Sequence, residues 1–276
     1  MIYVKDNFVK KVVITGAGRG LGKSLTELFL EKGFHVAAID LHFPGSEIKY
    51  PGQFLQVIAD VSSETSMKKC ALQVEKEFGG VDILISNAGI FDFFPLSESG
   101  GDALKRILDV NFFGLSNSVK YFLPYLGKSQ GRLVTISSES YKIPAPFQPY
   151  AVSKQALEKL YFGIKQELML KGVSSVLVRP GAIQTNIMDE TVNFKPKNPD
   201  SLYKEEFKKL IDSVPKYIGK IKHPDDVAKL VFKAATAKNP KRVYKINHNP
   251  WVTLLSALPK KLQDWSIRHQ LKSNEQ

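Results

Sequence analysis

Between Lys11 and Asp40 the chain reads strand, glycine turn, helix, strand, acid, and no other stretch restricts the fold as much. Lys11-Val12-Val13-Ile14-Thr15 is a buried strand by composition, and Gly16-Ala17-Gly18-Arg19-Gly20-Leu21-Gly22 is the turn that follows. Leu21, Leu25, Leu28, Phe29 and Leu30 then mark a helix that stops at Gly33. Phe34 to Ile39 is a second apolar strand, closed by Asp40. The glycines follow Thr15 as Thr-Gly-x-x-x-Gly-x-Gly. Gly16 permits the tight turn, Gly20 lets backbone approach a diphosphate, and Gly22 brings the helix close to the sheet. Free amides and the dipole at that helix start favour the anion. An acid at the tip of the second strand suits the ribose hydroxyls of a bound dinucleotide.

The alternation continues. Strands are expected at Gln53–Ala59, ending on Asp60, then Asp82–Ile85, Gly131–Ser138, Val173–Val178 and Arg242–Ile246. Helices are expected at Glu64–Phe78, at about Gly101–Leu126 with Pro124 bending or ending it, from Tyr150 onward, and at Pro224–Ala237. Residues 139–149 read as a proline-bearing loop, and Ala182 to about Lys222 as irregular. Unbroken strand–helix alternation implies a single α/β domain with a Rossmann-type, doubly wound parallel sheet. Residues 1–246 would form it, and 247–276 an amphipathic tail.

Tyr150-Ala151-Val152-Ser153-Lys154 places a phenol and an ammonium at i and i+4, on one face of a helix. A free tyrosine has a pKa near ~10, and a neighbouring cation favours the phenolate. Tyr150 could then trade a proton with an alcohol or a carbonyl.

Composition excludes several classes. The single cysteine, Cys70, sits among Met67, Leu72 and Val74 and reads as a small core residue in a reducing compartment. Met1 to Lys10 has no apolar block of a secretion signal, and no stretch is long enough for a membrane span, so a cytoplasmic chain is expected. The net charge is +12, but the lysines are dispersed and no nucleic-acid-reading motif is present, so no nucleic-acid partner is expected. No metal-ligand spacing points to a metal.

Taken together, these markers resemble the short-chain dehydrogenase/reductase family. They fall in the family's order: Thr15-Gly16-x-x-x-Gly20-x-Gly22, Asp60, Asn87-Ala88-Gly89, Asn111, Ser137-Ser138, Tyr150-x-x-x-Lys154, and Pro180-Gly181 leading to Thr185. The resemblance implies that Tyr150 is the acid/base and that Lys154 lowers its pKa while holding the nicotinamide ribose. It implies that Ser138 binds the substrate oxygen with Tyr150, and that Asn111 helps hold a water feeding protons to Lys154. It places the dinucleotide on Gly16, Gly18, Arg19, Gly20, Leu21 and Gly22, and on Asp40, Asp60 and Val61. Asn87, Ala88, Gly89, Tyr150, Lys154, Pro180, Gly181, Ile183 and Thr185 complete that set. The spacing to Tyr150 fits Ser137, whereas the place in the strand fits Ser138. Strand side chains alternate, so one serine only can serve; Ser138 is the choice. The family also implies a homodimer or homotetramer.

Asp40 should repel a 2′-phosphate, so NAD is the expected cofactor; Arg19 beside Gly20 keeps NADP open. Tyr141, Ile143, Pro144, Ala145 and Phe147 after the fifth strand, with Ile183, Ile187, Met188 and Phe194, would shape an apolar pocket. That pocket suits a retinoid, steroid or lipid-like alcohol or ketone. A 3-oxoacyl reductase acting on acyl-carrier substrates and a non-catalytic dinucleotide sensor are the alternatives. In the tail, Trp251, Leu254, Leu255 and Leu258 keep helical spacing, and Leu262, Trp265 and Leu271 follow Pro259 among Lys260, Lys261, Arg268 and Lys272. Such a segment packs over the pocket, joins a dimer, or makes weak peripheral membrane contact.

Overall fold

The computed structural model describes residues 9–45, 53–142, 146–185, 198, 200–217 and 220–272. Seven parallel strands, β1 (Lys11–Thr15), β2 (His35–Asp40), β3 (Phe54–Ile58), β4 (Ile83–Ser86), β5 (Arg132–Ile136), β6 (Ser174–Pro180) and β7 (Val243–Ile246), form one sheet in the order β3-β2-β1-β4-β5-β6-β7. The central strands are buried along nearly their whole length because helices cover both faces. One face packs α1 (Gly20–Glu31) with α7 (Pro224–Thr236) through Leu25, Phe29, Val227 and Val231. The other packs α2 (Glu64–Phe78), α4 (Gly114–Ser129) and α5 (Pro149–Met169) through Met67, Phe122, Leu157 and Tyr161. β1 pairs with β2 on one side and β4 on the other. A crevice therefore opens at the carboxyl ends of β1 and β4, the switch point of a doubly wound sheet.

Gly16 adopts φ +64°, a left-handed conformation that turns the chain off β1. A Cβ on Gly22 would lie 1.8 Å from the Gly16 carbonyl oxygen, so this contact between helix and turn requires glycine.

Several expectations need correction. The segment 182–222 contains α6 (Lys204–Tyr217), whose Phe207, Leu210 and Ile211 join a small cluster with Phe93, Phe147 and Leu271. The expected long helix around Asn111 is interrupted: α3 (Gly100–Leu108) passes through a π-turn at Asp109–Phe113 into α4. Pro124 does not end α4, which runs to Ser129. The carbonyl that Pro124 leaves without an amide is that of Lys120, on the exposed side where water can serve. In the loop after β5, Glu139–Lys142 form a 3-10 turn, and Pro149 belongs to the first turn of α5. The tail folds as α8 (Pro250–Ala257) and α9 (Lys260–Leu271), broken at Pro259.

Candidate active site

A cavity of about 570 Å³ runs along the carboxyl ends of the strands, from the glycine turn to the tail. At one end lies the start of α1. Arg19 precedes that helix without a capping side-chain bond, and the first turn has no acidic residue. Its first amides, at Gly20, Leu21 and Gly22, stand at the cavity wall. This donor set, with a positive dipole end and no internal acceptor, fits a diphosphate.

Around it the expected residues are held by specific bonds. Asp40 caps the tip of β2: its carboxylate accepts from the Gly18 amide at 2.8 Å and the Leu41 amide at 2.7 Å. Asn87 Nδ2 donates to the carbonyls of Thr15 and Gly16, each at 3.0 Å, and Thr15 Oγ1 accepts from the Asn87 and Ala88 amides at 3.1 and 3.2 Å. Thr15 thereby ties the ends of β1 and β4 together. Asp60 Oδ1 accepts from the Ser62 amide and hydroxyl at 2.8 and 2.7 Å. Asp60, Val61 and Gly89 all reach the cavity, as do Pro180, Gly181 and Ile183. Thr185 comes from the far side to lie over Gly20, its Cγ2 3.2 Å from where a Cβ would stand.

α5 supplies the Tyr150–Lys154 pair. Pro149 starts the helix with its φ already suited to it, and Tyr150 and Lys154 follow one turn apart. Lys154 is buried; its ammonium donates to the Ile136 carbonyl at 3.3 Å and stands 5.6 Å from the Tyr150 ring centroid. Burial pulls its pKa down to about 8, opposed by the carboxylate of Glu158. Tyr150 sits against Phe91, ring centroids 5.2 Å apart. Here the expected direction is reversed: burial pushes the phenol up to about 12, and the hydrogen bond with Ser138 is what pulls it back. Burial is the larger effect, and the group that lowers the phenol's pKa is Ser138 rather than Lys154.

Both serines follow the last residue of β5 and both reach the cavity, but their hydroxyls have different partners. Ser138 lies at the cavity wall beside Tyr150, with its Oγ accepting from the Ser140 amide at 3.2 Å. Ser137 also reaches the cavity wall, but its hydroxyl is committed to α5, donating to Glu158 at 2.7 Å. Glu158 also accepts two bonds from Arg179, at 2.9 and 2.6 Å, and Arg179 stacks on Tyr141 at 3.9 Å. Sequence reasoning missed this buried Ser137–Glu158–Arg179 group, although Glu158 follows Lys154 at i+4. Asn111, carried on the π-turn, is fully engaged: Oδ1 accepts from the Ile90 amide at 2.8 Å, and Nδ2 donates to the Ile90 carbonyl and to Ser153 Oγ, each at 2.9 Å. Its side chain fixes the backbone after Gly89 and the helix of Lys154, and its Oδ1 and the Lys154 ammonium both lie beside Gly89, 3.4 and 3.6 Å from where a Cβ would stand.

The apolar end differs from expectation. Tyr141 is taken up by Arg179, and Phe147 is buried in the cluster beneath, with a left-handed backbone at φ +63°. Ile143, Pro144, Ala145, Ile187, Met188 and Phe194 lie outside the described residues. Among the described residues, Ile183 lines the cavity as expected, and the wall also takes in Phe91 and Phe93, Leu210 of α6, and from the tail Trp251, Val252, Leu255, Ile267 and Leu271. The tail is fastened there by the 3-10 turn after Ser138. Glu139 accepts from the Asn249 amide at 2.7 Å, and Lys142 donates to Thr253 at 2.5 Å.

Comparison with known proteins agrees with this geometry. The family described as short chain dehydrogenase matches residues 10–196. The chain is a short-chain dehydrogenase/reductase. As a member of that family it is an oxidoreductase. An NADPH-dependent 3-dehydrocapnine reductase of Ornithobacterium rhinotracheale is 31% identical over 217 residues, 75% of this chain and 77% of that one. Estradiol 17-beta-dehydrogenase 2 of Mus musculus is 34% identical over 192 residues; the match takes in 64% of this chain but only 49% of that relative's length. A short-chain dehydrogenase from Streptomyces avermitilis superposes with a TM-score of 0.75 at 21% identity, over 97% of this chain and 100% of that one, which shows the shared fold. Among the described residues no helix is long and apolar enough to cross a membrane, and no cluster of His, Cys, Asp or Glu is placed to hold a metal.

Proposed function

We propose that this short-chain dehydrogenase/reductase interconverts an alcohol and a carbonyl on an elongated apolar substrate, using NAD(H). The observation that carries the reading is the cavity itself. It runs without a break from the uncapped amides of α1, past Ser138 and Tyr150, into a wall of Phe91, Leu255, Ile267 and Leu271. Asp40, Asn87 and Thr185 would hold the dinucleotide, which when bound supplies hydride chemistry at its nicotinamide. Ser138 orients the substrate oxygen, Tyr150 gives it a proton or takes one, and Lys154 keeps a positive charge one helical turn below. The apolar wall excludes water and accepts a hydrocarbon body. The steroid named for the murine relative is a substrate of this class. A sensing role without turnover needs no Ser138–Tyr150 contact, and the basic charge alone favours an acyl-carrier substrate only weakly.

For the cofactor, the Asp40 carboxylate at the tip of β2 favours ribose hydroxyls over a 2′-phosphate. The bacterial relative's NADPH dependence points the other way for that protein. A screen of hydrophobic alcohols and ketones with both cofactors at equal concentration should give NAD(H) turnover, with apolar substrates exceeding small polar ones at least about tenfold, the effect of a few buried methylenes. A clear preference for NADPH overturns the Asp40 assignment, and a preference for acyl-carrier substrates overturns the substrate class.

The serines make a second test. Ser138→Ala is expected to lower kcat/KM by about 10²-fold, the usual loss when a donor to a reacting oxygen is removed. Ser137→Ala should instead lower the unfolding temperature while leaving most turnover in place. The opposite ranking in steady-state kinetics would exchange their roles.

A further inference from the structure

The last two helices carry an outward face that the sheet does not use. α8 has no charged residue in Pro-Trp-Val-Thr-Leu-Leu-Ser-Ala, yet it fully buries none of its side chains. A helix apolar on all sides is normally enclosed. Here Val252 and Leu255 line the cavity, while Trp251 is 66% and Leu254 55% exposed. In α9, Gln263, Ile267 and Leu271 form the inward row. At 3.6 residues per turn this sends Trp265 to the opposite side, 63% exposed, with Leu262 at its flank, 48% exposed. Lys261, Arg268 and Lys272 share that outward side and are exposed, and Trp265 stacks on His269 with centroids 5.3 Å apart. Asp264 is the one carboxylate in the helix. Single exposed apolar residues are ordinary; two exposed apolar pairs on consecutive helices, the second pair flanked by cations, mark an interaction surface.

We propose that this face docks on an anionic lipid bilayer. Trp251, Leu254, Leu262 and Trp265 enter the interfacial layer, and Lys261, Arg268 and Lys272 meet the headgroups. Tryptophan, with an apolar body and one polar N–H, suits that layer. The net charge of +12 makes an anionic surface the complementary partner, and it sets the same border of a second copy against itself. Trp251 belongs both to this face and to the cavity wall, so the mouth of the cavity opens where the bilayer would lie. An apolar substrate could then pass between bilayer and site without crossing water. That delivery role rests on the reading of the substrate given above; the docking does not.

The chain contains two tryptophans, and both stand on this face, so intrinsic fluorescence reports on it directly. The full-length protein is titrated with phosphatidylcholine vesicles, with and without phosphatidylglycerol, and with brominated phosphatidylcholine as a quencher. Expected are a blue shift and bromolipid quenching that depend on phosphatidylglycerol and weaken in high salt. Lys261→Glu with Arg268→Glu, which keeps both tryptophans and touches no cavity residue, should weaken binding at least about tenfold, from roughly 1 kcal/mol per basic residue at a charged surface. Leu254→Ser with Leu262→Ser should weaken it as well. Unchanged emission with all vesicles overturns the proposal. So does a shift that follows protein concentration alone with a doubled mass in light scattering, which would give the face to a second copy. Equal binding to neutral vesicles, or by the charge-reversed variant, overturns the headgroup assignment. Turnover on apolar carbonyls, assayed in parallel, separates the two readings: vesicle binding without turnover sinks the redox proposal alone, and turnover without vesicle binding sinks this one alone.

Discussion

Tyr150→Phe is expected to lower turnover by about 10²–10⁴-fold, the range for loss of a positioned acid/base, with dinucleotide affinity nearly unchanged. The phenol touches the cavity from α5, whereas the amides of α1 and the Asp40 carboxylate lie at the other end. One oxygen is removed, the ring and its contact with Phe91 stay, and a dinucleotide titration separates binding from chemistry. The pH dependence has a definite sign. With the phenol pushed up to about 12, the protonated form dominates at neutral pH, so carbonyl reduction finds its proton in place. Alcohol oxidation needs the phenolate and should climb as pH rises. Lys154, pulled down to about 8, keeps its ammonium below that value and loses it above, so reduction should fall on the alkaline side. Bound dinucleotide adds its own charge and will move both limbs, but not their direction. Wild-type rates in a Tyr150→Phe variant would remove the basis for the proposed chemistry.

Glu158→Ala should be the most destabilising single change near the site. Its carboxylate receives Arg179 through two bonds and Ser137 through a third, with side-chain exposures of 6% for Glu158 and 11% for Arg179. Deleting one partner of a buried pair leaves an uncompensated charge and costs about 3–5 kcal/mol. For a domain of this size that lowers Tm by roughly 6–20 °C. Arg179→Met combined with Glu158→Leu removes both charges, and by the same reasoning should recover most of the loss. Urea unfolding of the three proteins checks this; a Glu158→Ala variant within about 1 kcal/mol of the parent would mean that the pair contributes little.

Where the sequence was legible, local chemistry decided the structure. A run of branched residues followed by glycines and a helical row leaves little choice between Lys11 and Asp40, and α2 begins and ends where Ser63 and Gly79 provide its caps. The Tyr150–Lys154 pair was legible for the same reason, since one helical turn brings them together. What failed was tertiary. The apolar row Phe207, Leu210, Ile211 in α6 was hidden by lysines on its other side, although its spacing was in plain view. Asn111 looked like a mid-helix anomaly because a π-turn has no strong sequence mark. The partner of Ser137 lies 21 residues on, in α5, so no local spacing could reveal it. The apolar wall was sought in the loops after β5 and β6, of which Ile183 lines the cavity; the share taken by the last two helices was not legible, because it depends on how the tail folds back.

That borrowed wall has a consequence for how the chamber works. The seven strands hold the nucleotide end rigidly, while α8 contributes no fully buried side chain and α9 only Gln263 and Leu271. Parting the tail from the sheet therefore sacrifices little enclosed surface and no strand pairing. Regions so lightly anchored breathe on a shorter clock than the frame that carries them. On the proposed reading, the strand-built half would set the reaction geometry, while the half closed by the tail would be the part that yields to a bulky guest.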